Sequence, residues 1–205
     1  MEAPFIGISR HRLQTDGKGV TTLAAFNGCP LRCRYCLNPQ SLTEKGIRER
    51  LSADGLIKRV AIDNLYFLAT GGGITFGGGE PLLRSGYIAE FCSKAPRDWH
   101  ITLETSLNVE LSQLTMIEDY VSEYIVDIKD MNPEIYKKYT GKDNSLVISN
   151  LAHLIGVGQL DKITAKVPLI EGYNTEADCN KSEQLLRDMG ISNIVRTKYI
   201  TVTNK

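Results

Sequence analysis

The feature that most narrows the fold of this chain is a regular alternation of short β-branched or aromatic runs with longer amphipathic stretches. PFIGIS and VTTLAAF read as strands separated by a turn that carries Asp16, Gly17 and Gly19. From Ala53 onward, Leu56, Ile57, Val60, Ala61, Leu65 and Leu68 recur at helical spacing until Gly71-Gly72-Gly73 breaks the pattern. ITF as a strand, a helix through Leu83, Tyr87 and Phe91, HITLET as a strand and a helix through Leu111 and Leu114 continue it. The series is completed by the strand YIVDIK, helical segments between Asn132 and Ile155, the strand ITAKVPLI, a helix through Leu185, Leu186 and Met189, and the strand NIVRTKYI.

Such an alternation predicts a parallel sheet covered by helices, because parallel neighbours need long crossovers. About six β/α units are too few for a closed eight-fold barrel, so the expected fold is α/β, an open partial (β/α)6 barrel with its functional groups at the C-terminal rim. No linker, repeat or low-complexity run divides the 205 residues, and 42% hydrophobic against 23% charged content suits a full core, which predicts one domain over 1–205.

The 24 basic and 24 acidic side chains cancel, so no broad positive field is available for sequence-independent nucleic-acid binding. No run approaches the roughly 18 to 20 apolar residues that span a bilayer, and the first residues, MEAPFIGISRHRLQ, lack the apolar core of a secretory signal. A cytoplasmic protein with neither a membrane nor a nucleic-acid partner is the expectation.

Three of the five cysteines crowd into GCPLRCRYC, while Cys92 and Cys179 stand alone, which fits a metal site in a reducing compartment better than a disulfide framework. Cys29, Cys33 and Cys36 are spaced by four and three, with no fourth cysteine or histidine nearby. Three protein ligands leave a coordination position vacant, as catalytic metal sites do, whereas zinc and closed iron-sulfur sites usually take four. A structural zinc knuckle completed by Cys92, Cys179, His11, His100 or His153 is the alternative. Cys92 shares a helical face with Tyr87, Ile88 and Phe91, which points to packing instead.

Two further motifs sit at strand ends. ITFGGGEPLL places Gly77, Gly78, Gly79 and Glu80 directly after a strand, where glycines let the backbone approach a ligand and Glu80 can accept from an ammonium. Alone this run is also what a tight turn needs, and no phosphate-loop Lys-Ser/Thr follows it. LETS puts Glu104 and Thr105 at a strand end, and VDIKD puts Asp127 and Lys129 two residues apart on one strand face, suited to a polar ligand, to an internal ion pair or to a solvated strand end.

Taken together, the Cys-x3-Cys-x2-Cys spacing, Tyr35 before the third cysteine, Asn38-Pro39 after it, and Asp16-Gly17-x-Gly19 upstream resemble the radical S-adenosylmethionine (SAM) superfamily. More narrowly they are similar to the activating enzymes of glycyl-radical enzymes, of the pyruvate formate-lyase activating type. The resemblance implies a partial barrel of the radical SAM type and a 4Fe-4S cluster on Cys29, Cys33 and Cys36 whose fourth iron takes the methionine end of SAM. One electron, from a flavodoxin- or ferredoxin-type donor, splits the sulfonium to methionine and a 5′-deoxyadenosyl radical under anaerobic conditions, with the protein positioning the reacting carbon.

The same resemblance assigns cofactor contacts to Tyr35, Cys36, Leu37, Gly78, Gly79, Glu80, Glu104, Asp127 and Lys129. Gly78-Gly79-Glu80 matches the Gly-Gly-Glu element that holds the amino group, although relatives often have Ser or Thr where Gly77 stands. Asp127-Ile128-Lys129 matches an Asp-Leu-Lys element whose lysine faces the cofactor carboxylate. Glu104-Thr105 stands where relatives have Asp-Thr, which with the Asp127 position can hold a monovalent cation. Leu37 and Ile200 replace histidines usual in activators, which implies a more apolar pocket.

Three functions follow as expectations. The first is an activase that installs a glycyl radical on a partner enzyme, with Tyr35 and Leu37 meeting the partner's loop. The second is a small-molecule radical enzyme of the 7-carboxy-7-deazaguanine synthase type. The third is a non-catalytic metal-binding module.

Overall fold

A computed structural model describes residues 1–13 and 16–199. They fall into two compact units, the first made of Met1–Pro30, Asn38–Thr105 and Val109–Ile125, the second of Leu31–Leu37, Ser106–Asn108 and Val126–Lys205.

The first unit holds β1 (Glu2–Leu13), β2 (Val20–Phe26), β3 (Glu49–Ser52), α1 (Ala53–Val60), α2 (Asn64–Thr70), β4 (Gly73–Gly78), α3 (Ser85–Lys94), β5 (His100–Thr105) and α4 (Leu111–Thr115). Its strands run in the order β3-β1-β2-β4-β5. β2, β4 and β5 are parallel, with Thr21 opposite Gly73 and Gly73 opposite His100, whereas β1 is antiparallel to both β2 and β3. Parallel pairing puts the ends of β2 and β4 side by side, Phe26 opposite Gly78, so the cysteine loop and the glycine turn leave the sheet together.

An aromatic stack fills the space between this sheet and its helices. Phe5 and Phe26 lie 4.7 Å apart, Phe26 and Phe76 5.6 Å, and Phe76 meets Phe91 edge-on at 5.2 Å. Each such fully buried ring contributes about 2–3 kcal/mol of transfer free energy. Helix α1 starts because the Ser52 hydroxyl accepts from Gly55 N at 3.1 Å, and it buries Leu56 and Val60. The single helix expected over this stretch is two, parted by a 3-10 turn at Ala61–Asp63. There the Asp63 carboxylate turns inward to take Arg10 Nε at 2.9 Å and the Thr22 hydroxyl at 2.8 Å. Gly71, at φ 66°, ends α2 in the left-handed region, as the glycine run predicts.

The second unit contains α5 (Pro133–Thr140), α6 (Ser145–Gly156), β7 (Ile163–Leu169), α7 (Glu176–Asp188) and β8 (Ile194–Lys198), while β6 (Glu123–Asp127) gives its last two residues to it. β7 and β8 are parallel, Ala165 opposite Ile194 and Leu169 opposite Lys198. Asn132 caps α5, with Pro133 at the first turn and Gly141 at its end. Thr175 and Asp178 form a reciprocal capping box on α7. β3 and β8 each pair with one strand only, so among the described residues the sheet is open and no barrel closes. No described helix is long and apolar enough to cross a membrane.

Candidate active-site residues

In the first unit, the cysteine loop is anchored at both ends on the glycine turn. Gly79 N donates to Phe26 O at 3.0 Å and Glu80 N donates to Gly28 O at 2.8 Å, the carbonyl immediately before Cys29. On the return, Asn38 Nδ2 donates to Gly78 O at 3.2 Å. This closeness is why the turn is glycine: a Cβ on residue 79 would lie 2.1 Å from Gly28 O, and Gly78 sits at φ 89°. Two motifs well separated in sequence are therefore one hydrogen-bonded piece.

Glu80 is 1% exposed. Its Oε1 accepts from Leu82 N at 3.2 Å and from the Thr105 hydroxyl at 2.6 Å, which fixes the carboxylate at the end of β4. Glu104 is half-buried at the end of β5, and a Cβ on Gly77 would come within 3.3 Å of both its Cβ and its Oε2. The longer carboxylate at 104 and the missing side chain at 77 are thus complementary in volume. Upstream, a Cβ on Gly17 would lie 2.5 Å from the Thr102 hydroxyl oxygen, and the Asp16 carbonyl accepts from Thr75, so the Asp-Gly-x-Gly turn is packed against β4 and β5.

Within the second unit, the tip of the loop lies along the end of α5, with Arg32 N donating to Thr140 O at 2.8 Å and Arg34 N to Tyr139 O at 3.2 Å. The Tyr35 ring meets Tyr173 edge-on at 5.7 Å, and Tyr139 meets Tyr199 at 6.0 Å. Leu37 is 69% exposed. Burial pushes the Cys33 thiol up to about 11, against an opposing pull from the Lys129 ammonium.

Lys129 departs from the strand geometry expected of it. β6 ends at Asp127, and Lys129 has φ 59°. Asp130 N bonds Ile128 O at 2.6 Å, which makes a tight three-residue turn centred on the lysine. A non-glycine residue held there costs about 1–3 kcal/mol. The buried ammonium donates to Asp127 Oδ2 and to the Tyr199 hydroxyl at 2.7 Å. Burial, the largest single influence, would lower the lysine, but Asp127, Tyr199 and Cys33 acting together outweigh it and hold the group well above its usual range. Tyr199 carries no motif signal in the sequence; its role exists only through this contact. Ile200, expected to replace a cofactor-contacting histidine, lies outside the described residues.

The donor set fits an iron-sulfur cluster. Cys29, Cys33 and Cys36 are half-buried and form no disulfide among the described residues, and they put three soft sulfur donors of the kind that hold iron-sulfur clusters on one loop. Bound metal holds its thiolates deprotonated, which reverses the effect of burial on Cys33. Cys179 is instead buried against Pro168 O at 3.5 Å, and Cys92, pushed up to about 12 by burial, lies on α3. Among the described residues no three His, Cys, Asp or Glu side chains crowd around one ion position. Thiolates of a cluster bind separate irons and need not converge in that way.

A family model described as the Radical SAM superfamily matches residues 23–178. Pyruvate formate-lyase 2-activating enzyme of Escherichia coli is 27% identical over 202 residues, covering 83% of this chain and 68% of that protein. Pyruvate formate-lyase-activating enzyme of Clostridium pasteurianum is 33% identical over 127 residues, covering 62% of this chain and 53% of that protein. In fold, the crystal structure of Streptococcus suis SuiB bound to precursor peptide SuiA superposes with a TM-score of 0.68 at 14% identity, over 88% of this chain and 39% of that one. The chain therefore spans about two fifths of that structure's length.

Proposed function

This chain belongs to the radical SAM superfamily, a superfamily of enzymes whose open α/β type its sheet shares, and from that premise we propose that it is an activase that installs a glycyl radical on a partner enzyme. The observation that carries the reading is the cysteine loop fastened at Gly28 and Asn38 to the Gly78-Gly79-Glu80 turn, inside the stretch matched by the family model. Relatives named as activating enzymes support the choice of a protein substrate. We take residues 1–205 to act as one radical SAM domain.

In this reading Cys29, Cys33 and Cys36 hold a 4Fe-4S cluster as thiolates. A 4Fe-4S cluster held there would supply one-electron reduction of the SAM sulfonium, with the electron drawn from a flavodoxin- or ferredoxin-type carrier, the chemistry that would give methionine and a 5′-deoxyadenosyl radical able to take a hydrogen atom from the substrate. Gly78 and Gly79 let the turn close against Ala25 and Gly28 beside the cysteine loop, and Glu80, held by Leu82 and Thr105, accepts from the cofactor's ammonium. Lys129 neutralises its carboxylate. Tyr35 and the exposed Leu37 meet the partner's loop, and the setting is the anaerobic cytoplasm.

The test mixes the reconstituted chain, SAM and a low-potential reductant with a glycyl-radical enzyme encoded beside it. A stable carbon-centred radical on that partner, dependent on Cys33, is the expected electron paramagnetic resonance signal. Formation of 5′-deoxyadenosine with no partner radical would favour the small-molecule reading instead.

A further inference from the structure

We propose that Asp130 is a positioning residue whose buried carboxylate clamps the strained turn that aims Lys129 at the cofactor carboxylate. The inference rests on the assignment of Lys129 made above. Lys129 sits at φ 59° with no glycine freedom, so something must hold it there against relaxation. The residues on its C-terminal side supply the restraint. Asp130 is 2% exposed, and its Oδ1 accepts from Asn132 N at 2.8 Å and from the Ser182 hydroxyl at 3.3 Å, while its Oδ2 accepts from Asn174 Nδ2 at 3.1 Å.

Each of these donors is itself fixed. The Ser182 oxygen accepts from Met131 N at 3.0 Å. Asn174 cannot turn its amide round, because its Oδ1 accepts from Ile170 N at 2.6 Å and its Nδ2 also donates to Pro168 O at 3.0 Å. Asn144 Nδ2 reaches Met131 O at 2.9 Å, and Ile128 N is tied to Lys166 O at 3.0 Å. The turn is thus gripped on both sides of Lys129, from the neighbouring strand, from α7 and from the loops before α6 and α7. The lysine alone is left to reach Asp127 and Tyr199.

Asp130→Asn tests the clamp with little change of shape. Its new amide nitrogen faces either Asn174 Nδ2, which cannot flip, or the Asn132 N–H and Ser182 hydroxyl donors, so one restraint becomes a donor opposed to a donor. Equilibrium dialysis with the anaerobically reconstituted protein should compare SAM with decarboxylated SAM, which lacks the group Lys129 meets. The expected result is a Kd for SAM raised about ten-fold or more, with the Kd for decarboxylated SAM unchanged. Equal weakening toward both ligands, or toward neither, overturns the clamp. Lys129→Met separates the two claims. If it spares both affinities, the assignment of Lys129 itself is wrong; if it weakens SAM selectively while Asp130→Asn does not, the clamp alone is wrong. Should Asp130→Asn fail to fold, Ser182→Ala removes one donor and must show the same ligand selectivity at smaller size.

Discussion

Replacing Gly79 by alanine should damage the protein far more than its single methyl suggests. The added Cβ would lie 2.1 Å from Gly28 O and 3.1 Å from Phe26 O, both backbone atoms that cannot swing aside. To admit it, the turn must give up the bonds from Gly79 N to Phe26 O and from Glu80 N to Gly28 O. Two lost hydrogen bonds cost about 1 kcal/mol each, and forcing a group into packed space costs about 1–3 kcal/mol more, so about 4 kcal/mol is expected. For a chain of this size that lowers Tm by about 10 °C. The control is Gly86→Ala on α3, where the nearest atom to a new Cβ is Met116 Sδ at 3.9 Å; removing a helical glycine there should be neutral or stabilise by about 0.5 kcal/mol. Urea and thermal unfolding of the metal-free proteins measure both, and iron content after reconstitution reports the displacement of Cys29. An unfolding midpoint for Gly79→Ala equal to the parent's, or equal to that of Gly86→Ala, would refute the idea that the glycine turn and the cysteine loop are one unit.

Cys33 in the metal-free protein should be alkylated slowly at pH 8, because a thiol pushed up to about 11 holds on the order of a hundred-fold less thiolate than an ordinary one; alkylation as fast as in a free peptide would contradict it. Since the folded state binds that proton more tightly, the stability Cys33 contributes is full below its unfolded value and is lost as pH rises toward 11, visible as a falling urea midpoint. Cys33→Ala should lose the iron and the brown colour, whereas Cys92→Ala should keep both at a cost of about 1 kcal/mol, and the opposite pattern would reverse the ligand assignment. Thr105→Val leaves the buried Glu80 carboxylate short of its 2.6 Å donor and should cost about 1.5–3 kcal/mol by urea unfolding; an unchanged midpoint would show that the bond contributes nothing.

Local patterns carried much of the architecture. VTTLAAF and HITLET match β2 and β5 residue for residue, and the helix stop at Gly71 follows from left-handed backbone that glycine alone adopts easily. β3 escaped notice because ERLS has two charges and no strand signature; it is a strand only by pairing with β1, Ala3 opposite Leu51. The break at Ala61–Asp63 is likewise set from outside, by Arg10 and Thr22 drawing Asp63 inward.

Among the candidate functional residues, the spacing of Asp127 and Lys129 leaves a ligand site, an ion pair and a solvated strand end all open; the side chains do pair, through a turn and not along a strand face. The partnership of Lys129 with Tyr199, 70 positions away, depends wholly on tertiary structure. Asp130 carries no motif signal of its own, and only its burial and three donors distinguish it.

The most direct test of the account is chemical. The chain, purified without oxygen, loaded with iron and sulfide and reduced in the presence of SAM, should yield 5′-deoxyadenosine and methionine in equal amounts, measured by mass spectrometry, and Cys29→Ala, Cys33→Ala and Cys36→Ala should yield neither. A colourless protein that retains zinc and leaves SAM intact under the same reduction would contradict it.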